Sequence, residues 1–217
     1  MIRSVRPPFF CRWFSPDRLL CREEDPGRRI FLTFDDGPVP DTTPQVLKFL
    51  SDVGVKATFF HVGDNIRKHS LIFEEVRAAG HAIGNHTFHH LDGWKTAPAA
   101  YAEDVRRFDS LCRTKLFRPP YGRFTPSQYM ILRKDYRFVL WSLLTWDFSS
   151  RVKPEECLSM ATGNTRPGDI IVFHDNPRSE KNLLYALPRY LEACLKKGFE
   201  FDVLSSDQII PSSAKLR

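Results

Sequence analysis

Residues 84–91 read GNHTFHHL and place three histidines, His86, His89 and His90, within five positions. Neutral imidazole is the commonest metal ligand among side chains. If HTFHH forms a helical turn, His86 and His90 stand four apart on one face while His89 diverges. That geometry lets two ring nitrogens reach one ion at about 2.0–2.1 Å. A third ligand must come from elsewhere, and a carboxylate is the usual choice. The stretch FDDGP (34–38) supplies Asp35 and Asp36. Two histidines with Asp36 leave an ion one open position for water, the mark of a catalytic site. The other carboxylate stays unligated and can take a proton from that water. A surface histidine cluster and an Asp-Gly turn are the plain alternatives; the pair at this spacing beside DDG favours the metal. The apolar run DIIVFHD (169–175) then delivers His174 at a strand end, opposite Asp35 across the rim, where an imidazolium can protonate a leaving group.

These groups need a scaffold that brings distant segments to one rim. Apolar runs recur at 30–34, 57–62, 81–85, 116–120, 138–144, 169–173 and 201–204. Several are apolar at every position, as strands covered on both faces must be. Helical patterns fill the gaps. Thr43-Pro44 opens one that Gly54 closes, Ser70 opens the next, and Tyr101, Val105, Phe108 and Cys112 stripe a third. Thr125-Pro126 starts a fourth, 155–163 is a short fifth, and about 180–197 a sixth that Pro188 splits or kinks. Such alternation predicts an α/β single domain with a parallel sheet, either a barrel lacking one unit or a doubly wound open sheet. In both, the loops after the strand C-termini carry the site. Asp35-Asp36, His86–His90, Arg118, Asp147 and His174-Asp175 all fall there. His61 and His81 lack ligand spacing and read as structural. Residues 1–28 read as an N-terminal extension packed outside the 29–217 domain, with Trp13 and Phe14 as anchors.

The 217 residues carry a net charge of +6. Lys and Arg are scattered, and no zinc-finger or RNP pattern occurs, so the expected partners do not include nucleic acid. No apolar run approaches the roughly 20 residues of a membrane span. The basic start is interrupted by Pro7, Pro8, Arg12 and Pro16, which leaves no signal-peptide core. Five cysteines (11, 21, 112, 157 and 194) without a CxxC read as reduced thiols. These features together predict a cytoplasmic chain. They do not fix an oligomeric state.

TFDDG (33–37), NHTFHH (85–90), RPPY (118–121), WSLLTWDF (141–148) and IIVFHD (170–175), in that order, resemble the polysaccharide deacetylases. This is the NodB-homology group, carbohydrate esterase family 4, and the resemblance spans about residues 29–205. It implies a distorted, TIM-like (β/α)7 barrel with parallel strands. It also implies a divalent ion, usually Zn2+, with Co2+, Mn2+ or Ni2+ as options, on Asp36, His86 and His90. Asp35 matches the catalytic base and Arg118 the partner that holds it ionised and oriented. The Tyr121 backbone N–H matches the oxyanion donor, and His174 the general acid. Trp141, Trp146 and Phe148 are expected to wall the acetyl pocket or a sugar face, or, for Trp141, the core. The implied reaction is removal of acetyl groups from N-acetylglucosamine-containing chitooligosaccharide or peptidoglycan. The alternatives are the same amide hydrolysis on a small non-sugar substrate, or a weak carbohydrate-binding relative. One position departs from the pattern. Leu144 stands where an aspartate usually tunes the acid, leaving Asp175 or Asp147 as substitutes.

Overall fold

The computed structural model describes residues 19–24 and 26–205. Along the chain the first half runs β1 (Leu19–Leu20), β2 (Arg29–Asp35), α1 (Thr43–Asp52), β3 (Thr58–His61), α2 (Gly63–Lys68), α3 (Ser70–Ala78), β4 (Ala82–Asn85) and α4 (Pro98–Arg107). The second half runs β5 (Leu116–Phe117), α5 (Pro126–Leu132), β6 (Arg137–Val139), β7 (Leu143–Leu144), α6 (Pro154–Asn164), β8 (Ile170–His174), α7 (Glu180–Lys196) and β9 (Glu200–Asp202). The strands order as β1-β6-β5-β4-β3-β2-β8-β7, with β9 against β2, and all these pairs are parallel.

Strand β2 explains why the sheet curls around a core. Ile30, Leu32 and Phe34 pack outward with helix residues such as Val46 and Leu187. Phe31, on the other face, joins Leu20, Phe60, Leu116, Val139 and Ile170, drawn from strands around the sheet, and Leu204, which follows β9. Period-two alternation then sends Thr33 and Asp35 to that same inner face, one and two steps nearer the rim. The interior therefore passes from an apolar plug at Phe31 to a carboxylate at Asp35. This is the TIM-like, distorted barrel, built as one curled sheet.

The run 138–144, read as one strand, is two. Its start pairs with β5 and β1, its end with β8, and residues 140–142 turn between them. Leu140 N–H bonds the Leu20 carbonyl while Ser142 N–H bonds Ile170, so the bend lets one segment serve two distant strands. Nor does the extension wholly lie outside: Leu19 and Leu20 are a buried strand of the sheet. Trp13 and Phe14 fall outside the described residues. Helix α2, polar and short, was not expected. Helix α7 continues through Pro188 unsplit. Cys112 follows the short turn after α4 rather than lying on that helix. No helix among the described residues is long and apolar enough to cross a membrane.

If β1 is part of the core, Leu20→Ala should cost about 2–4 kcal/mol in urea unfolding. A loss under about 0.5 kcal/mol, the surface range, would return these residues to a loosely docked extension.

Candidate active site

At the barrel's centre lies Arg118, fully buried at the end of β5. Its Nη1 donates to Asp35 Oδ1 at 2.6 Å and to Thr33 Oγ1 at 2.7 Å. Nε and Nη2 donate to the carbonyls of Val139 and Leu140, and the guanidinium carbon lies 4.1 Å from the Phe60 ring centroid. A planar cation with several fixed donors is well suited to orienting one carboxylate among neutral walls. Asp35 is 3% exposed, so its position is set by this arginine rather than by water.

Beside it, one ligand atom each from Asp36, His86 and His90 lie within 4.8 Å of one another. His90 Nε2 is 3.0 Å and His86 Nε2 3.5 Å from Asp36 Oδ1. His86 Nδ1 lies 2.8 Å from the Arg118 carbonyl. A carbonyl only accepts, so Nδ1 donates to it and Nε2 is the ring atom turned toward the Asp36 carboxylate, where it can serve as a ligand atom. An N,N,O donor set, with one imidazole fixed by an outer carbonyl, fits a divalent transition metal. Burial alone would push the Asp36 carboxyl up, but the imidazoles upon it hold it well below the ordinary carboxylate range.

The histidines do not share a helical turn. Residues 86–90 form a loop in which Thr87 and His90 have φ of 64° and 56°. Asn85 Oδ1 accepts Thr87 N–H, Thr87 Oγ1 accepts Leu91 N–H, and Asp104 accepts the N–H groups of Phe88 and His89. His89 turns away to Asp104 at 2.5 Å, outside the trio. Asp36, Tyr121 and Trp146 also have positive φ. Among the described residues, the five such non-glycine positions sit on loops following β2, β4, β5 and β7. Each conformation costs about 1–3 kcal/mol and survives only where neighbours dictate it.

His174 is not across the rim from Asp35. The two are direct partners in the β2–β8 register. Its Nδ1 lies 2.8 Å from Asp147 Oδ1, and its backbone N–H bonds Asp147 Oδ2. Asp147 is thus its carboxylate partner, while Leu144 lines the cleft. Burial disfavours the imidazolium, but Asp147 and the nearby charges of Asp36 and Asp35 together outweigh it and His174 is pushed up to about 9. With Nδ1 committed to Asp147, Nε2 is left to exchange a proton. Asp175 is occupied elsewhere: it accepts the Gly37 N–H and bonds Thr43 Oγ1 at 2.6 Å. A Cβ on Gly37 would lie 2.1 Å from Asp175 Oδ2, so glycine alone fits. Buried His61 and His81 are pushed down to about 3 and about 4, mainly by burial, and stay neutral.

Two residues the sequence did not mark hold Asp36. Asn65, on α2, donates to its carbonyl at 2.7 Å, and Asn176 donates to its Oδ2 at 2.5 Å. The trio, Asp35 and His174 open on a cleft of about 930 Å³ whose walls include Tyr121, Trp141, Trp146 and Phe148.

A parallel barrel carrying carboxylates and imidazoles on its strand ends defines a hydrolase built around a candidate metal centre. The polysaccharide deacetylase family model matches residues 22–137. A peptidoglycan-N-acetylglucosamine deacetylase of Bacillus cereus is 32% identical over 213 residues, 94% of this chain and 95% of its own. A chitooligosaccharide deacetylase of Azorhizobium caulinodans is 32% identical over 154 residues, 67% of this chain and 73% of its own. The crystal structure of the Bc1960 peptidoglycan N-acetylglucosamine deacetylase, in complex with 4-naphthalen-1-yl-N-oxidanyl-benzamide, superposes with a TM-score of 0.78 at 29% identity. It covers 86% of this chain and 91% of that one. The chain belongs to the polysaccharide deacetylase family.

The Asp147–His174 pair makes a directional prediction. His174 loses its proton as pH rises through about 9. In Asp147→Asn the principal raising charge is gone while burial still opposes the imidazolium, so the midpoint should fall. NMR titration of the imidazole measures it, and an unmoved midpoint would refute the pairing.

Proposed function

We propose that the chain is a metal-dependent deacetylase that hydrolyses the acetamide of N-acetylglucosamine-containing carbohydrate. The observation that carries this reading is the register pairing of Asp35 with His174 beside the Asp36–His86–His90 trio. A base, an acid and a candidate ion site share one cleft, as amide hydrolysis requires. The relatives named above act on peptidoglycan or chitooligosaccharide, which supports an acetylated sugar as substrate.

Asp36, His86 and His90 would hold the ion, and the nitrogen-rich donor set favours Zn2+, with Co2+, Mn2+ or Ni2+ as substitutes. When bound, it supplies Lewis-acid polarisation of the acetyl carbonyl and of water. Asp35, oriented by Arg118, accepts a proton from the water that attacks the carbonyl carbon. The backbone N–H of Tyr121, on its left-handed turn, would stabilise the oxyanion. His174 Nε2 then donates a proton to the amide nitrogen as the C–N bond breaks, giving acetate and a free amine. Asp147 keeps His174 charged until that step. Trp146 and Phe148, which line the cleft, would wall the acetyl methyl.

Asp35→Asn and His174→Ala should each lower acetate release from N-acetylglucosamine oligomers by about 10²–10⁴-fold while retaining bound metal. Asp36→Ala should instead lose the metal itself, measured by elemental analysis. Chelation should abolish turnover, and added Zn2+ should restore it. Undiminished release from metal-loaded Asp35→Asn and His174→Ala would end the proposal.

A further inference from the structure

Beyond the cleft mouth the chain holds an indole in water. Trp94 is 67% exposed and Tyr121 60%. Isolated exposed apolar side chains, such as Leu71, are ordinary on protein surfaces. Trp94 differs because the surrounding structure fixes it in place. Asp92 Oδ1 accepts the Trp94 backbone N–H, and Asp92 Oδ2 accepts from Arg123 Nη1 at 2.7 Å. Gln128, fully buried, donates to the carbonyls of Gly93 and Thr96 and accepts the Thr125 N–H. A Cβ on Gly93 would come within 2.3 Å of the Arg123 carbonyl, so the two loops meet backbone to backbone. The loop after β4 and the loop after β5 are thereby locked together, and each presents an aromatic ring outward.

Arg123 links these rings. Its guanidinium carbon lies 4.8 Å from the Trp94 centroid and 5.4 Å from that of Tyr121. Tyr121 in turn packs edge-on against His90, with centroids 4.9 Å apart. A continuous path of ring, guanidinium and ring therefore leads from the candidate ion site to solvent. The π-face of an aromatic ring is electron-rich and attracts the polarised C–H groups of a pyranose face. The guanidinium between the rings offers donors to hydroxyl oxygens. Rigid aromatics lose little entropy on binding, which suits them to contact.

We propose that Trp94, Arg123 and Tyr121 form a stacking shelf for sugar rings of an oligosaccharide beyond the one being deacetylated, with Trp94 as its outer end. The shelf rests on the carbohydrate reading above and adds a preference for longer chains. Its continuity with Tyr121 and His90 selects a glycan over an unrelated partner, because an occupant of the shelf extends directly into the cleft.

The test uses metal-loaded full-length protein and N-acetylglucosamine oligomers of two to six sugars. In the wild type, kcat/KM should rise with chain length. Trp94→Ala should reduce the advantage of the hexamer over the dimer by about three- to ten-fold, the range of an aromatic contact, with the change in KM rather than kcat. Trp94→Phe should recover part of it. An unchanged ratio in Trp94→Ala, or a loss equal at every length, would overturn the shelf. Hexamer binding by calorimetry separates the two readings. If the wild type releases no acetate yet binds hexamer more tightly than Trp94→Ala, the shelf stands and the deacetylase reading fails. If neither protein binds hexamer, the shelf fails as well.

Discussion

A charge buried at the barrel's centre governs the arrangement around it. Arg118 has no water to solvate it, and an isolated guanidinium there would be prohibitive. It is tolerated because Asp35, Thr33 and two carbonyls from the bend after β6 converge on its donors. Those partners belong to β2 and to the 137–144 run, so the arginine ties opposite parts of the sheet. Its own carbonyl receives His86 Nδ1. One residue therefore positions the proposed base through its side chain and a proposed metal ligand through its backbone. Replacing the pair by apolar groups could keep the fold, yet it would leave Asp35 with nothing to aim it.

The rim shows the complementary constraint. Five non-glycine residues hold left-handed backbone there, and each is pinned by neighbours or forms part of the cleft. Thr87 is the least natural of them, being β-branched. Its strain turns the chain so that His86 and His90 face the same carboxylate, with Asp104 on α4 accepting the loop's N–H groups. Apolar strands below and hydrogen-bonded loops above divide the work: the former set the stability, the latter the directions of side chains.

That division also governs what the sequence could reveal. Each buried strand was legible because covering both faces demands an apolar run, and the polar residues that break such runs at their C-termini stood out. What escaped notice depended on contacts between segments. FVLWSLL carries no mark of its bend, which exists because Leu20 and Ile170 claim opposite ends of it. The spacing of His86 and His90 suggested a helix, whereas a left-handed threonine does the turning. Asn65 and Asn176 are uncharged and unspaced, so nothing in their order announces that they hold Asp36. Leu144 stands in the motif where a carboxylate is expected, but position in a motif is not position in space; Asp147, three residues on, reaches His174.

The two aspartates near His174 show how environment assigns roles to identical groups. Asp175 is adjacent in sequence, yet alternation along β8 sends its side chain to the opposite face from His174. There burial pushes it up to about 8, and it holds Gly37 and Thr43 to steady the FDDGP turn. Asp147, arriving from the loop after β7, meets His174 through both backbone and ring. The imidazolium persists there because Asp147, helped by the charges of Asp36 and Asp35, offsets the cost of burial. That environment lets a histidine beside two further carboxylates hold a proton, as the acid of the proposed reaction must.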